Sequence, residues 1–329
     1  MIITQTPVRV SFLGGGTDYP AYFRRHGGAT LVATINKHTI VTVHRITQFS
    51  AHSVRVHYSR VESVQHIDEI QHPSARECLR FLGVDGGIEI HYVSDLPART
   101  GLGSSSSATV GLLMALHAFK GEAVSREQVA VEAVHVEQEL IKERVGCQDQ
   151  YACALGGLLH LEFHRNGKVG INPVVLDPER LGALQDRLIL FYTGIQRHAH
   201  EVLDEQIERT RTGENAKELD GLKSLVSKGI KVLTGKNDLS EFGVLLHEGW
   251  MLKRRLSSKI SVSGIDEVYK RARQAGVGGG KLLGAGGGGF LLFYVEPRHR
   301  QQVRRALPEL RETEFSFDGL GSQIIFHRW

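Results

Sequence analysis

The sequence is poor in residues that would indicate a disulfide framework or a membrane span. Its 329 residues include only three cysteines, Cys78, Cys147 and Cys153, and none of them form a CxxC pair. So few cysteines, in odd number, favour a reducing compartment, and we expect a cytoplasmic protein. No stretch approaches the roughly 18 apolar residues of a membrane span. The first residues also lack the basic and apolar regions of a signal peptide, so we expect no membrane partner.

An excess of charge of one sign is also missing. The chain has 40 basic and 36 acidic residues, a net charge of +4 with neutral histidines, which is too mild to indicate nucleic-acid binding. Apolar residues make up 41% and charged residues 23%, as in compactly folded proteins. The length suits two domains with a cleft between them. We expect small-molecule partners in that cleft, and the composition allows a homo-oligomer.

Glycine is the one residue in marked excess. The chain has 37 glycines, about 11% of its residues, against an average of roughly 7%. They cluster at 14–16, 101–103 and 278–289. Dense glycine in a globular sequence indicates backbone that turns left-handed or approaches a ligand closely. We therefore expect the functional site at these three segments.

The second cluster lies in PARTGLGSSSS, residues 97–107, which leads into the apolar segment ATVGLLMALHAF. The apolar segment predicts a buried helix. Free backbone N–H groups, serine hydroxyls and the helix dipole would then converge on one point and could bind phosphate. A serine-capped buried helix is the alternative, although one cap needs only one of the four serines. Neither a P-loop nor a dinucleotide-binding GxGxxG signature is present.

A second helix is predicted from Ser125 to Val145, ending at Gly146. Its apolar positions share one face, and Glu137 lies in the middle of that face. An unpaired buried carboxylate costs several kcal/mol, so Glu137 should meet either a metal ion or a basic side chain such as Arg144. Asp149 follows soon after the helix and is either a cap of the next helix or a catalytic base.

The other two glycine clusters lie beside predicted strands. PVRVSFLGGGTDY places Arg9 on a strand and Thr17, Asp18 and Tyr19 after a glycine turn, where polar groups could bind a sugar. KLLGAGGGGFLLFYV places glycines before a buried strand. This last pattern indicates either the wall of a ligand site or dense backbone packing.

These three motifs, in this order, resemble those of the GHMP small-molecule kinases, which include galactokinase, homoserine kinase, mevalonate kinase and fucokinase. The segment HEGWMLKRRLSSKIS makes the chain most similar to a bacterial subgroup that phosphorylates D-glycero-D-manno-heptose 7-phosphate at C1. The resemblance covers essentially the whole chain. It implies an α+β fold with an N-terminal domain like ribosomal protein S5 over 1–170, a ferredoxin-like C-terminal domain over 171–329, and an active site between them.

The resemblance also implies an ATP- and Mg²⁺-dependent kinase. Asp149 would be the catalytic base, and Arg9 would lie near the transferred phosphoryl group and hold Asp149 ionised. Ser105 and Glu137 would bind Mg²⁺. The ATP phosphates would be bound by the glycine- and serine-rich loop, whose binding residues are Pro97, Gly101, Leu102, Gly103, Ser104, Ser105, Ser106 and Ser107.

On the acceptor side, the resemblance implies sugar contacts from Gly15, Gly16, Thr17 and Asp18 together with Asp149. Galactokinases have Glu-His where this chain has Gly15-Gly16, which would make room for the C6–C7 tail of a heptose, although fucokinases have a similar pair of glycines. A 7-phosphate would need a basic partner. The candidates are Arg24, Lys37, His38, Lys253 and Arg254.

Three functions are therefore open at this point. The first is formation of the heptose 1,7-bisphosphate, which by resemblance would supply nucleotide-activated heptose for capsule or lipopolysaccharide. The second is phosphorylation of a free sugar of the fucose or galactose type. The third is a sugar and nucleotide sensor without catalysis.

Overall fold

The computed structural model describes residues 1–47, 49–98, 100–195 and 199–328, with the backbone alone at 199–201. Within these ranges the chain forms two β-sheets and eleven α-helices. None of the helices described is both long and apolar enough to cross a lipid bilayer.

The strands of the structure are β1 (Ile2–Leu13), β2 (Gly28–Arg45), β3 (Val54–His57), β4 (Val61–Val64), β5 (Ile88–Ser94), β6 (Leu158–Phe163), β7 (Val169–Pro173), β8 (Leu188–Tyr192), β9 (Val277–Leu282), β10 (Phe290–Val295), β11 (Arg311–Thr313) and β12 (Gln323–His327).

The helices are α1 (Pro20–His26), α2 (Pro73–Phe81), α3 (Ser104–Lys120), α4 (Arg126–His135), α5 (Gln148–Leu155), α6 (Pro178–Gln185), α7 (Ala199–Thr212), α8 (Ala216–Thr234), α9 (Ser240–Lys253), α10 (Ser263–Gln274) and α11 (Arg300–Ala306). Short 3₁₀ turns cover Ile67–Glu69 and Pro297–His299, and a π-helical segment covers Val136–Leu140.

The first sheet has the strand order β12-β1-β2-β5-β3-β4, and β6 and β7 extend it from β2. Strand β2 is long enough to pair with β6 along its first part and with β5 along its last. The second sheet has the order β11-β8-β10-β9 and is antiparallel throughout. The predicted α+β class is confirmed.

The division at residue 170 does not describe the sheets. Strand β7 runs across it, from Val169 to Pro173, and belongs to the first sheet. The last strand, β12, also returns to the first sheet and pairs with β1. Sequence order alone could not show this return, because the pairing joins residues about 320 positions apart in the chain.

Three apolar cores hold the layers together. One lies between the first sheet and helices α2 to α5, and another between the second sheet and helices α9, α10 and α11. The middle core joins residues of both sheets, such as Val10, Leu31 and Leu292, with Phe242 of α9. Because β1 and the first half of β2 are covered on both faces, these strands are buried at nearly every position rather than at alternate ones.

Two helix predictions have different outcomes. The apolar segment after the serine-rich loop forms α3, which is buried along most of its length, as predicted. The second helix begins as predicted, because Ser125 accepts a hydrogen bond from the backbone N of Gln128 at 3.1 Å. It does not continue to Val145. The backbone widens to π geometry from Val136 to Leu140 and then leaves the helix.

The glycine-rich third motif combines a strand and a loop. Gly278, Gly279 and Gly280 lie within β9, so the predicted loop is shorter than the glycine run. A Cβ atom on Gly279 would lie 1.8 Å from the carbonyl O of Gly243 in α9. Since no side chain fits at that distance, glycine lets helix α9 pack directly on the strand.

The second and third motifs contact each other through their backbones. A Cβ atom on Gly284 would lie 2.3 Å from the Cα of Gly101, and one on Gly289 would lie 2.3 Å from the carbonyl O of Thr100. The backbone N of Phe290 also donates to the carbonyl O of Thr100 at 3.2 Å. The dense-packing alternative for the third motif is therefore observed, and the packing fixes the serine-rich loop to the second sheet.

We expect Gly284→Ala to lower the free energy of unfolding by more than about 2 kcal/mol, because it adds both a left-handed alanine and a backbone clash. Gly83→Ala is the matched control, since Gly83 also has a positive φ, 64° against 68° at Gly284, but no atom lies within 4 Å of its Cβ position. Urea unfolding followed by circular dichroism measures both losses. Equal losses would contradict the contact between the motifs.

Candidate active site

Arg9 and Asp149 form a buried ion pair where β1 meets α5. Arg9 donates from Nε to Asp149 Oδ1 at 2.7 Å and from Nη2 to Oδ2 at 2.6 Å, so the pair is bidentate. The side chain of Arg9 is 4% exposed and that of Asp149 is 24% exposed. Burial alone would lower the pKa of Arg9, but the adjacent Asp149 more than compensates and raises it. The guanidinium is therefore permanently charged and holds the carboxylate in one orientation.

Asp149 does not cap its helix. The N-cap residue of α5 is Cys147, and Asp149 lies in the first turn with both carboxylate oxygens bonded to Arg9. The loop between β5 and α3 is close to the pair, because a Cβ atom on Gly103 would lie 3.4 Å from Asp149 Oδ2. Arg9 Nη1 also donates to the carbonyl O of Gly101 at 2.6 Å. The ion pair thus lies against the predicted phosphate loop.

Glu137 lies in the π-helical segment and is fully buried. Its Oε2 accepts hydrogen bonds from Ser106 Oγ at 2.9 Å and from Gln150 Nε2 at 2.5 Å, while Oε1 has no partner in the described structure. Burial, with the nearby charge of Glu143, raises the pKa of Glu137 to about 7. No basic side chain pairs with it in the parts of the chain described, and Arg144 pairs instead with Asp204. The predicted ion pair with Arg144 is therefore wrong.

The serine next to Glu137 is Ser106, not Ser105. Ser105 is exposed in the first turn of α3, whereas Ser106 is buried and hydrogen-bonded to the carboxylate. The hydroxyl bonded to Glu137 is thus not that of Ser105, whose predicted role as a Mg²⁺ ligand stays a prediction. Consecutive residues of a helix point about 100° apart, so only one serine of the run can face the helix that carries Glu137.

Some of the remaining loop residues anchor the loop to neighbouring segments, and others leave backbone N–H groups available to a ligand. Leu102 is buried, and its carbonyl O accepts from the backbone N of Arg9 at 2.9 Å. Ser107 Oγ donates to the carbonyl O of Thr6 at 2.9 Å. Gly103, with φ 76°, is the N-cap of α3 and offers no side-chain cap, so backbone N–H groups of the first turn stay available to an anion. Pro97 accepts from Thr100 Oγ1 at 3.0 Å, and Arg99 lies outside the described residues.

A small pocket with a cavity volume of about 40 Å³ opens beside the ion pair. The first motif contributes Arg9, Gly15 and Gly16 to its wall, and the third motif contributes Gly284 and Ala285. The third motif therefore also forms part of the wall of this pocket, and its predicted contact with a ligand stays a prediction.

Thr17 and Asp18 lie behind this wall rather than in it. The hydroxyl of Thr17 donates to carbonyl oxygens of the surrounding backbone and is fully buried. The carboxylate of Asp18 accepts from the backbone N of Gly16 at 3.0 Å and of Gln148 at 3.3 Å. Burial raises the pKa of Asp18, and the charge of Asp149 adds to this effect. In this structure both side chains shape the turn that positions Gly15 and Gly16.

The sequence motifs missed several residues of the pocket wall. Tyr19, one of the polar groups predicted after the glycine turn, lies in the wall. The wall residues outside those predictions are Ser11, Gln148, Leu203, Gln206, Lys253, Leu256 and Lys281, of which Lys253 appeared only among five basic candidates. One signal was present for Lys253, which follows Trp250 at helical spacing on the buried face of α9. Lys281 is a buried lysine in a strand that is otherwise glycine and apolar.

Comparison with known proteins gives relatives along the whole chain. D-glycero-alpha-D-manno-heptose 7-phosphate kinase of Campylobacter jejuni is 27% identical over 98% of this chain and 99% of that protein. L-fucokinase/L-fucose-1-P guanylyltransferase of Bacteroides fragilis is 26% identical over 97% of this chain but only 38% of that protein. A crystal structure of a D-glycero-D-manno-heptose 1-phosphate kinase from Bacteroides thetaiotaomicron has a TM-score of 0.80, at 23% identity and full coverage of both chains.

Two family models match the chain in order. The GHMP kinases N terminal domain matches residues 70–157, which include the serine-rich loop, Glu137 and Asp149. The GHMP kinases C terminal domain matches residues 230–312, which include the third motif. Together they match just over half of the chain, and the fold agrees with them. The chain therefore belongs to the GHMP kinase family and is an ATP-dependent kinase.

Proposed function

We propose that this kinase is a sugar kinase that transfers the γ-phosphoryl group of ATP to the C1 hydroxyl of D-glycero-D-manno-heptose 7-phosphate. The products are the 1,7-bisphosphate and ADP. The observation that carries the proposal is the position of the Arg9–Asp149 pair between Gly103 of the loop and the pocket bounded by Gly15 and Gly16. Similarity to the Campylobacter jejuni enzyme over the full length supports the choice of sugar.

Asp149 is the proposed catalytic base. It accepts the proton of the C1 hydroxyl as that oxygen bonds to the γ-phosphorus, while the bond from phosphorus to the ADP oxygen breaks. Arg9 orients both carboxylate oxygens through two hydrogen bonds. A positioned base of this kind contributes roughly 10²–10⁴-fold to the rate.

The loop of residues 97–107 would bind the phosphates of ATP. The uncapped amino end of α3 provides backbone N–H groups and the positive end of the helix dipole. Gly101 and Gly103 are fixed by contacts to Leu283 and to the Arg9–Asp149 pair. Phosphoryl transfer depends mainly on positioning and charge stabilisation, so this fixed geometry places the phosphate next to the acceptor.

The donor set around Glu137 fits a Mg²⁺ ion. A fully buried carboxylate with one unpartnered oxygen and a pKa raised to about 7 lacks a counter-charge. Glu137 and the adjacent hydroxyl of Ser106 would hold the ion, since Mg²⁺ prefers oxygen ligands. When bound, the ion would neutralise charge on the ATP phosphates. Gln150, which also donates to Glu137, orients the carboxylate.

The turn of the first motif supports the proposal that the acceptor is a seven-carbon sugar. Gly15 and Gly16 place no side chain on this part of the wall, and atoms of Ser11 and Gln206 lie 3.3 Å from their Cβ positions. A Cβ atom at either position would be tightly packed, so the two glycines keep side chains off the part of the wall where we place the C6–C7 tail of a heptose. We place the enzyme in the cytoplasm. Its product would be a precursor of nucleotide-activated heptose, which is used to make surface polysaccharide.

We expect Asp149→Asn to lower kcat by about 10²- to 10⁴-fold, because the amide cannot accept the proton. The dissociation constant for ATP should change little, since the loop and α3 are unaltered. Asp85→Asn, at an exposed position before β5, is the control for the loss of one carboxylate. Initial rates with Mg-ATP and ATP titration by calorimetry give both values. Near-normal turnover would remove Asp149 from the role of base.

We expect Glu137→Gln to reduce Mg²⁺-dependent turnover by about 10²-fold or more, because the ion loses a charged ligand. Without metal, the same variant should melt at a higher temperature than the wild type at pH 8. The folded-state pKa of about 7 exceeds that of a free glutamate, so burial of Glu137 lowers stability as the pH rises from about 4.5 to 7, and the full penalty applies above pH 7.

The gain in melting temperature should therefore disappear at pH 4.5, which thermal unfolding at both pH values measures. Glu139→Gln, at an exposed position two residues away, is the matched control. An unchanged Mg²⁺ requirement in Glu137→Gln would remove Glu137 from the metal site.

We expect ADP release with heptose 7-phosphate to exceed release with free heptose, mannose, fucose and galactose at equal concentrations. The reason is that Lys253 and Lys281 line the pocket and can bind a phosphate. A coupled ADP assay measures the five rates. A preference for fucose or galactose would replace the heptose assignment with the free-sugar alternative, and no turnover with intact ATP binding would favour the sensor.

A further inference from the structure

The acceptor pocket contains more basic than acidic groups. Arg9, Lys253 and Lys281 all line it. Arg9 is neutralised by Asp149. Neither lysine forms an ion pair among the described residues, and both bond only to backbone carbonyl oxygens. Asp18 is the remaining carboxylate near them, and its own pKa is raised by burial. The two lysines of the pocket therefore have no carboxylate bonded to them among the described residues.

The two ammonium groups are held in place with hydrogen atoms to spare. Lys253 Nζ donates to the carbonyl O of Leu282 at 2.9 Å and to that of Gly284. Lys281 Nζ donates to the carbonyl O of Phe12 at 3.0 Å. A lysine ammonium has three N–H donors, so one on Lys253 and two on Lys281 are left for a ligand. These three N–H donors, when the ammonium groups are charged, suit the oxygen atoms of a phosphate group.

Burial makes this arrangement costly without an anion. Lys253 is 8% exposed and Lys281 is 5% exposed. Burial, together with the charge of Arg9, lowers the pKa of Lys281 to about 7, and burial and Lys281 lower the pKa of Lys253. A doubly charged phosphate ester would restore the charged form of both groups. The positions of the two lysines therefore favour the binding of a ligand and not the stability of the folded protein.

The other basic candidates from the sequence have different surroundings. His38 is hydrogen-bonded to Asp318 at 2.7 Å, and Arg254 is paired with Asp266 at 2.8 Å. Arg24 lies against Gly167 in the turn between β6 and β7. Lys37, like these three, is not part of the pocket wall.

The position of the lysines indicates which phosphate they meet. Described residues 100–107 of the ATP loop do not line this pocket, whereas Gly15, Gly16 and Tyr19 do. From this we infer that Lys253 and Lys281 form an anion subsite that binds the phosphate ester already carried by the acceptor sugar. The inference rests on the proposed function and names the residues that select a phosphorylated acceptor over a free one.

The test compares Lys253→Met and Lys281→Met with Arg254→Met as the control, since Arg254 lies next in the chain but outside the pocket. For each lysine variant we expect the KM for heptose 7-phosphate to rise about 10- to 100-fold. The KM for ATP and the kcat/KM for free heptose should stay within about twofold of the wild type. Lys253→Arg and Lys281→Arg should recover part of the affinity, and circular dichroism checks folding.

An equal loss with phosphorylated and free heptose, or a raised KM for ATP, would overturn the subsite and assign the lysines to the transferred phosphoryl group. The wild-type acceptor preference tests the proposed function separately. If the wild type prefers a free sugar, thermal unfolding with inorganic phosphate decides. Stabilisation of the wild type but not of the double Lys→Met variant supports the subsite, and equal stabilisation of both refutes it.

Discussion

Arg9 connects every part of the active site. Its backbone N bonds to Leu102, its Nη1 bonds to the carbonyl O of Gly101, and its other guanidinium donors hold Asp149. One buried side chain therefore joins strand β1, the ATP loop and helix α5. Since a guanidinium stays charged at any relevant pH, this connection does not change with protonation. The position of Asp149, the proposed base, relative to Gly101 of the loop depends on it.

The glycine contacts give this arrangement its second support. Gly101 and Gly284 touch through their backbones, which leaves no room for a side chain at either position. The contact brings the third motif, with Lys281 at its start, next to the residues that Arg9 organises. Residues of the pocket wall thus come from segments about 270 residues apart in the chain. Close backbone packing holds these segments next to each other in the folded protein.

The site concentrates buried charge that a merely structural core would avoid. Glu137 has an unpartnered oxygen, and Lys253 and Lys281 have no carboxylate partners among the described residues. Each of these groups costs folding free energy in the absence of ligand. In a kinase the ligands carry complementary charge, as metal ion and as phosphate. Proteins accept such local costs where binding or catalysis requires them.

The sequence by itself determined the three glycine motifs, the buried helix α3, the cap at Ser125 and the need for a partner at Glu137, because these follow from local patterns and from the resemblance to a family. Only the tertiary structure decided that Ser106 and not Ser105 faces Glu137. The reason is that the orientation depends on how α3 packs and on the π-helical segment, where the regular 100° spacing fails. The return of β12 to the first sheet and the convergence of the two lysines are likewise contacts between distant segments, which no local pattern encodes.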